Sequence, residues 1–262
     1  MTNPTATPQY VPGHGLLDGK TAIITAAAGT GIGFATAKRI AEEGGRIAIA
    51  DIHERRLAEA RDALSEITGI PTPAFLANVT SEDDVQALFT NACEALGPID
   101  IVVNNAGLGG TANLADMTDA QWSSVLDVTL TGTMRMMRAA LHHMTPRGSG
   151  VIINNASVVG WRAQEGQSHY AAAKAGVMAL TRCAALEAAH DGIRINAVAP
   201  SLAMHPFLAK VTTDDLLAEL TTREAFGRAA EPWEIANVIV FLASDYSSYM
   251  TGEVVSVSSQ RA

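Results

Sequence analysis

Three side chains in the second half of the sequence are suited to proton transfer. Ser157 follows an apolar run, Tyr170 comes 13 residues later, and Lys174 follows four residues after that in Tyr-Ala-Ala-Ala-Lys. Residues four apart share one face of a helix, so the phenol and the ammonium are expected to point the same way. A phenol has a pKa of about 10, and a neighbouring ammonium favours its ionised form. The trio therefore predicts a general acid or base, with the serine hydroxyl holding a carbonyl or hydroxyl oxygen.

A run of small residues lies between the first predicted strand and the first predicted helix. Residues 25–33 read Thr-Ala-Ala-Ala-Gly-Thr-Gly-Ile-Gly. Such a turn lets the backbone approach a pyrophosphate at the helix N-terminus, where free N–H groups and the helix dipole favour negative charge. A tight turn without a ligand is the alternative for the glycines alone, but the strand and helix on either side favour a dinucleotide site.

Asp51 ends the second predicted strand, 18 residues beyond Gly33. A carboxylate there can accept hydrogen bonds from an adenosine ribose and would repel a 2′-phosphate. The sequence therefore favours NAD(H), with NADP(H) as the alternative. Residues 104–107, Asn-Asn-Ala-Gly, stand at the end of the fourth strand, where they either contact a ligand or bond the neighbouring backbone.

Short β-branched runs alternate with longer amphipathic stretches, as in parallel strands connected by crossover helices. Strands are predicted at residues 20–25, 46–50, 73–77, 99–103, 149–155, 192–198 and 254–257. Helices are predicted at residues 32–43, 54–67, 81–96, 120–144, 169–189 and 231–243. The pattern predicts an α/β fold in one domain: a doubly wound, Rossmann-like parallel sheet of about seven strands with helices on both faces.

Outside these elements, two segments lack clear periodicity. Residues 1–17, with Pro4, Pro8 and Pro12, predict a flexible arm that precedes a single dinucleotide-binding catalytic domain at 18–262. Residues 200–226 are long and weakly patterned, and a segment of this kind is usually functional, so we expect a substrate lid there.

Composition excludes several classes of function. The 262 residues carry a net charge of -9, which disfavours nucleic acid as a partner. No apolar run approaches the roughly 18 residues of a membrane span, and no signal peptide is recognisable. Cys93 and Cys183 each lie in an apolar helical pattern, so we expect buried free thiols in a reducing cytoplasm and no metal site.

Taken together, these motifs resemble the short-chain dehydrogenase/reductase family over about residues 16–259, including Ile-Arg-Ile-Asn-Ala-Val-Ala-Pro at 193–200. The resemblance implies hydride transfer between a nicotinamide and a carbon bearing oxygen, with Tyr170 as proton donor or acceptor. It implies that Ser157 stabilises the substrate oxygen and that Lys174 binds the nicotinamide ribose and lowers the pKa of the tyrosine. A homotetramer formed by helices 120–144 and 169–189 is also implied.

By the same resemblance, a larger set of residues binds the cofactor. The set comprises Thr25, Gly29, Gly31, Ile32, Gly33, Asp51, Asn78, Val79, Asn105, Ala106, Gly107, Tyr170, Lys174 and Pro200.

The sequence departs from the family pattern at several of these positions. The glycine turn is one residue longer than usual and lacks the first glycine, for which Gly29 can compensate. Asn78 replaces the aspartate that meets the adenine, and its amide can still donate and accept. Thr129 replaces the asparagine that holds a water in a proton relay. His205 lies near the position of a threonine that often meets the carboxamide.

Several side chains suit a bulky apolar substrate with an anionic group. They are Leu202, Met204, Phe207 and Leu208 in the predicted lid, and Trp161 with Arg162 after the catalytic serine. The alternative is that Trp161 packs at a subunit contact and Arg162 is solvated. Residues 25–33, 51–57 and 251–260 look like those of an actinobacterial branch of the family that acts on steroid-ring degradation intermediates carried as coenzyme A thioesters. The resemblance implies oxidation of a ring hydroxyl with NAD⁺.

Two other functions remain open from the sequence. A 3-oxoacyl-thioester reductase acting on acyl carrier protein should prefer NADPH, and the acidic surface argues against it because acyl carriers are themselves acidic. A non-catalytic dinucleotide-binding protein would account for the missing relay asparagine and the altered cofactor contacts.

Overall fold

The computed structural model describes residues 6–204 and 214–260, and in it seven parallel strands form one sheet. The strands are β1 (Thr21–Thr25), β2 (Arg46–Asp51), β3 (Ala74–Leu76), β4 (Ile101–Asn104), β5 (Gly150–Asn155), β6 (Ile193–Pro200) and β7 (Val254–Val257). Their order across the sheet is β3-β2-β1-β4-β5-β6-β7. This is the predicted doubly wound fold, which is confirmed.

Helices cover both faces of the sheet. They are α1 (Ile32–Glu42), α2 (Glu54–Thr68), α3 (Glu82–Leu96), α4 (Asp119–Leu126), α5 (Gly132–Met144), α6 (Ser168–Ala188), α7 (Asp214–Thr222) and α8 (Pro232–Ala243). A π-helical turn, Asp127–Thr131, joins α4 to α5. The helix predicted at 120–144 is therefore one continuous helical rod with a bulge in the middle.

Two apolar layers, one on each face of the sheet, hold the fold together. Every residue of β1 and β4 is buried, because helices cover these central strands on both sides. One layer packs under α3, α5 and α6, and the other under α1, α2 and α8. Burial of this apolar surface is the main favourable contribution to folding.

The chain before β1 is packed against the domain. Leu17 is buried, and buried Glu43 accepts hydrogen bonds from the backbone N–H groups of His14 and Leu16. The Tyr10 ring meets Trp233 of α8 edge-on at 5.3 Å between centroids. The prediction of a flexible arm is therefore wrong for residues 10–17, because a buried carboxylate needs the backbone donors that this segment supplies.

The predicted lid at 200–226 is described only in part, since residues 205–213 lie outside the described residues. Its two ends are joined by the buried side chain of Glu224, which accepts from the Leu202 N–H at 3.3 Å and from the Ser259 hydroxyl at 2.7 Å. Ser259 therefore helps Glu224 to hold the two ends of this segment together.

Both cysteines are free thiols. Cys93 is half-buried, but Cys183 is exposed, so the expectation that it is buried is wrong. Within residues 6–204 and 214–260, no helix has both the length and the hydropathy required to cross a bilayer.

Candidate active site

The residues predicted to do chemistry meet at the carboxyl edge of the sheet. The strand order reverses between β1 and β4, and in open α/β sheets the crevice outside this switch point is where ligands bind. The turn after β1, the end of β4 and the end of β5 all reach this edge.

The turn between β1 and α1 fits a pyrophosphate. A side chain at Gly33 would lie 2.3 Å from the Ala26 carbonyl oxygen, so only glycine lets the helix pack this closely on the strand. Gly31 caps α1 without any side-chain acceptor, and the first turn of the helix holds no acidic residue. Gly29, with a φ of 101°, supplies the left-handed conformation that allows the longer turn. The helix N–H groups can therefore be satisfied by an anion.

Asp51, at the end of β2, lies against this turn. One carboxylate oxygen accepts from the Ala28 N–H at 3.1 Å and the other from the His53 N–H at 3.0 Å. Burial raises the pKa of Asp51, and the Ala28 N–H and the charge of Arg56 oppose that rise. The carboxylate is thus fixed beside the β1–α1 turn, where the ribose of a nucleotide can reach it.

The side chains of Asn105 and Asn155 connect the β1–α1 turn to β5, the strand that precedes Ser157. The Thr25 hydroxyl accepts from the N–H groups of Asn105 and Ala106 at 3.0 and 3.1 Å. The Asn105 side chain donates to the Ala26 carbonyl at 3.1 Å and accepts from the Asn155 amide at 2.8 Å. Sequence reasoning missed Asn155, although a second asparagine at the end of β5 is visible in the sequence.

Ser157, Tyr170 and Lys174 come together as predicted by their spacing. Ser157 follows β5, and its hydroxyl accepts from the Val159 N–H at 3.3 Å. It lies close enough to the half-buried phenol of Tyr170, at the start of α6, to lower the pKa of that phenol. One turn later, the Lys174 ammonium lies 5.5 Å from the centre of the tyrosine ring and donates to the Asn155 carbonyl. The side chain of Lys174 is almost fully buried, whereas Gly107 beside it is exposed.

In the protein without a ligand, burial is the main influence on the pKa values of Tyr170 and Lys174. Burial raises the pKa of Tyr170 to about 12, and the hydrogen bond from Ser157 opposes this rise. Burial also lowers the pKa of Lys174 to about 8. The Lys174 ammonium lies 5.5 Å from the centre of the tyrosine ring, and its lowering of the phenol pKa stays a prediction.

Thr129 contacts the loop that follows β4. It is fully buried in the π-helical turn, and its hydroxyl accepts from the Leu108 N–H at 2.9 Å and donates to the Leu108 carbonyl at 3.2 Å. A hydroxyl has only one proton to donate, and here it goes to the backbone. The Thr129 side chain thus holds the loop after β4, and a part for it in a proton relay stays a prediction.

The remaining residues predicted to bind the cofactor lie at the same carboxyl edge of the sheet. Asn78 is exposed after β3, and its amide oxygen accepts from the Thr80 N–H at 3.0 Å. Val79 is buried, Ile32 is half-buried in the first turn of α1, and Pro200 ends β6 opposite Val257.

Of the predicted substrate-contacting residues, Leu202 is buried, Met204 is half-buried and Trp161 is half-exposed. Arg162 donates to the side-chain oxygen of Gln260. Phe207, Leu208 and His205 lie outside the described residues.

Comparison with known proteins gives consistent results. A family model described as "Enoyl-(Acyl carrier protein) reductase" matches residues 26–259. A Mycobacterium tuberculosis protein named (5R,7aS)-5-hydroxy-7a-methyl-1-oxo-2,3,5,6,7,7a-hexahydro-1H-indene-carboxyl-CoA reductase is 58% identical over 98% of this chain and 99% of its own length. The cis-4-hydroxycyclohexanecarboxylate dehydrogenase of Sinomonas cyclohexanicum is 41% identical over 91% of this chain and 94% of its own.

Among solved structures, a short chain dehydrogenase from Mycobacterium smegmatis superposes with a TM-score of 0.88 at 56% identity, covering 99% of this chain and all of that one. The matches extend over the glycine turn, the serine and the tyrosine–lysine pair alike. This chain belongs to the short-chain dehydrogenase/reductase family, whose members are NAD(P)-dependent oxidoreductases.

Proposed function

We propose that this enzyme interconverts a secondary alcohol and a ketone on a ring system carried as a coenzyme A thioester, with NAD(H) as cofactor and Tyr170 as general acid and base. The observation that carries the proposal is the grouping of Ser157, Tyr170 and Lys174 beside the β1–α1 turn. Carbonyl reduction requires a proton donor, a group that holds the substrate oxygen and a nucleotide site next to one another, and this grouping would supply all three.

A bound nicotinamide supplies or accepts the hydride. In reduction the Tyr170 hydroxyl donates its proton to the carbonyl oxygen, and in oxidation the phenolate takes the proton of the alcohol. The Ser157 hydroxyl holds the same oxygen, and Lys174 holds the nicotinamide ribose. With a pKa raised to about 12, the phenol is protonated at neutral pH, which suits reduction, and oxidation should accelerate as the pH rises.

NAD(H) is favoured because Asp51 is fixed by two backbone donors at the place where the adenosine ribose would lie. A 2′-phosphate there would meet a half-buried carboxylate. The β1–α1 turn, Asn78, Val79, residues 105–107 and Pro200 would complete the nucleotide site.

The ring-thioester substrate is inferred from the two relatives, since one is named for a hydroxylated ring carboxyl-CoA and the other for a hydroxylated ring carboxylate. Leu202 and Met204 supply apolar surface at the base of the predicted lid, as a fused ring would need. We place the enzyme in the cytoplasm, because thioester substrates and free thiols belong to a reducing compartment.

The test is an assay of purified protein with NAD(H) and NADP(H) against 4-hydroxycyclohexanecarboxyl-CoA, a hydroxylated hexahydroindane carboxyl-CoA and acetoacetyl-CoA. We expect turnover of the ring thioesters with NAD⁺. Tyr170→Phe should lower kcat at least about 100-fold because the proton carrier is lost, while the affinity for NADH, measured by fluorescence, stays within a few-fold.

Tyr246→Phe, at a tyrosine that is 75% exposed, is the matched control and should retain full activity. Unchanged turnover in Tyr170→Phe would contradict the role of the phenol. A preference for acetoacetyl-CoA with NADPH would favour the acyl reductase, and binding of NADH without any turnover would favour a non-catalytic protein.

A further inference from the structure

A cavity of about 330 Å³ opens beside the strand end that carries Ser157. Its wall is formed by Val158, Val159 and residues 162–164, by Leu220, Thr222 and Arg223 around the end of α7, and by Gln260. Val158 and Val159 directly follow the serine, so the cavity begins one residue along the chain from Ser157.

The cavity is positively charged. Two guanidinium groups, of Arg162 and Arg223, line it, and among the residues that the structure describes no aspartate or glutamate does. Arg162 is exposed and donates to a neutral amide oxygen of Gln260, and no carboxylate lies within ion-pair distance of it among the described residues. In a chain with a net charge of -9, such a group provides a local attraction for an anion that the rest of the surface repels.

Arg223 is also available to a ligand. It pairs with Glu219 at 2.6 Å, but the two side chains are 48% and 58% exposed. Exposed pairs of this kind contribute little, because water competes with both partners. A phosphate can therefore take the place of the carboxylate, or share the guanidinium with it.

We propose that this cavity binds the phosphate-bearing tail of the thioester substrate, with Arg162 and Arg223 contacting its phosphates. The planar fork of a guanidinium matches two phosphate oxygens at once. The side-chain amides of Gln164 and Gln260 can pair with the two amide groups of the pantetheine arm. The inference rests on the proposed function, since it assumes that the substrate is a coenzyme A thioester.

The test compares one ring acid offered as its coenzyme A thioester and as its N-acetylcysteamine thioester, which lacks phosphates. In Arg162→Gln we expect the KM for the coenzyme A thioester to rise about tenfold, with a further rise in the Arg162→Gln, Arg223→Gln double variant. The KM for the short thioester and kcat for both should stay within about twofold. Adenosine 3′,5′-bisphosphate should compete with the long thioester in the parent protein and weakly in the variants.

Two controls separate charge from structure. Arg61→Gln removes an exposed guanidinium from α2 and should leave both KM values unchanged. Gln260→Ala breaks the contact with Arg162 and removes one amide from the cavity but keeps both guanidinium charges, so it should raise the KM for the long thioester less than Arg162→Gln does.

Equal losses for both thioesters in Arg162→Gln, or no loss for either, would overturn the proposal. If the parent protein turns over neither thioester, the proposed function fails independently. The cavity is then tested by calorimetry of coenzyme A binding to NADH-saturated protein, where binding that is absent from the parent, or equal in Arg162→Gln, would overturn it.

Discussion

Burial sets the protonation of the two titratable side chains at the centre of the site. The same desolvation that raises the pKa of Tyr170 to about 12 lowers that of Lys174 to about 8, because each group is driven toward its neutral form. Lys174 keeps one hydrogen bond, to the Asn155 carbonyl, and Thr129 holds the adjoining loop through Leu108. Hydrogen bonds of single side chains therefore hold the site in position when no ligand is bound.

The lysine has a consequence for stability. Its pKa is about 8 in the folded protein against an ordinary 10.5, so between these values the folded state binds fewer protons than the unfolded state. The free energy of unfolding of the parent, relative to Lys174→Met, should therefore rise from about pH 8 to about pH 10.5. The expected gain is about 3 kcal/mol, measured by urea unfolding at several pH values.

Lys38→Met, at a lysine whose side chain is 36% exposed, is the matched control and should follow the parent at every pH. Parallel curves for the parent and Lys174→Met would show that burial does not perturb this ammonium group.

At the scale of elements, the β1–α1 turn and the end of β2 form one unit through the contact between Ala28 and Asp51. Asp51→Asn keeps an acceptor for the turn but removes the charge. We expect the ratio of kcat/KM for NAD⁺ to that for NADP⁺ to fall at least about tenfold, because a 2′-phosphate is no longer repelled.

Asp62→Asn, at an exposed carboxylate on α2, should leave this ratio unchanged. A parent protein that uses both nucleotides equally would count against the assignment of Asp51.

The same elements explain what sequence could predict. The strands were predictable because buried parallel strands are apolar on both faces, as residues 101–103 of β4 are. The placement of Tyr170 and Lys174 on one helix face followed from their spacing, and their role was predicted from the glycine turn and the serine that precede them. The π-helical turn and the hydroxyl contacts of Thr129 were not predictable, because they depend on a loop 21 residues earlier in the chain. The packed segment 10–17 was missed because its partner, Glu43, resembles any surface glutamate in a sequence.

For the whole molecule, we propose a homotetramer. Ala172, Ala179, Cys183 and Leu186 form an exposed apolar stripe along α6, and Leu186 is 76% exposed. Their spacing of seven, four and three residues puts them on one face of the helix, and such a face is typical of helix pairing between subunits. Trp122 of neighbouring α4 is also exposed.

Light scattering after size exclusion should give four times the mass of one chain for the parent protein. Leu186→Arg should shift the protein to a smaller assembly because it places a charge in the apolar contact. Ile67→Arg, at an exposed isoleucine on α2, is the control and should not. A parent protein that elutes as a monomer would contradict the proposed tetramer.

The strand order also bears on how the chain reaches its native state. β1 is made early but pairs with both β2 and β4, and β4 begins about 80 residues later. During synthesis, one edge of β1 stays unpaired until β4 has been translated. Contacts between residues so far apart in the sequence slow folding. Until they form, the unpaired edge of β1 promotes aggregation. Yield on expression should therefore depend on how quickly β4 emerges, and on chaperones that shield the first half of the sheet until then.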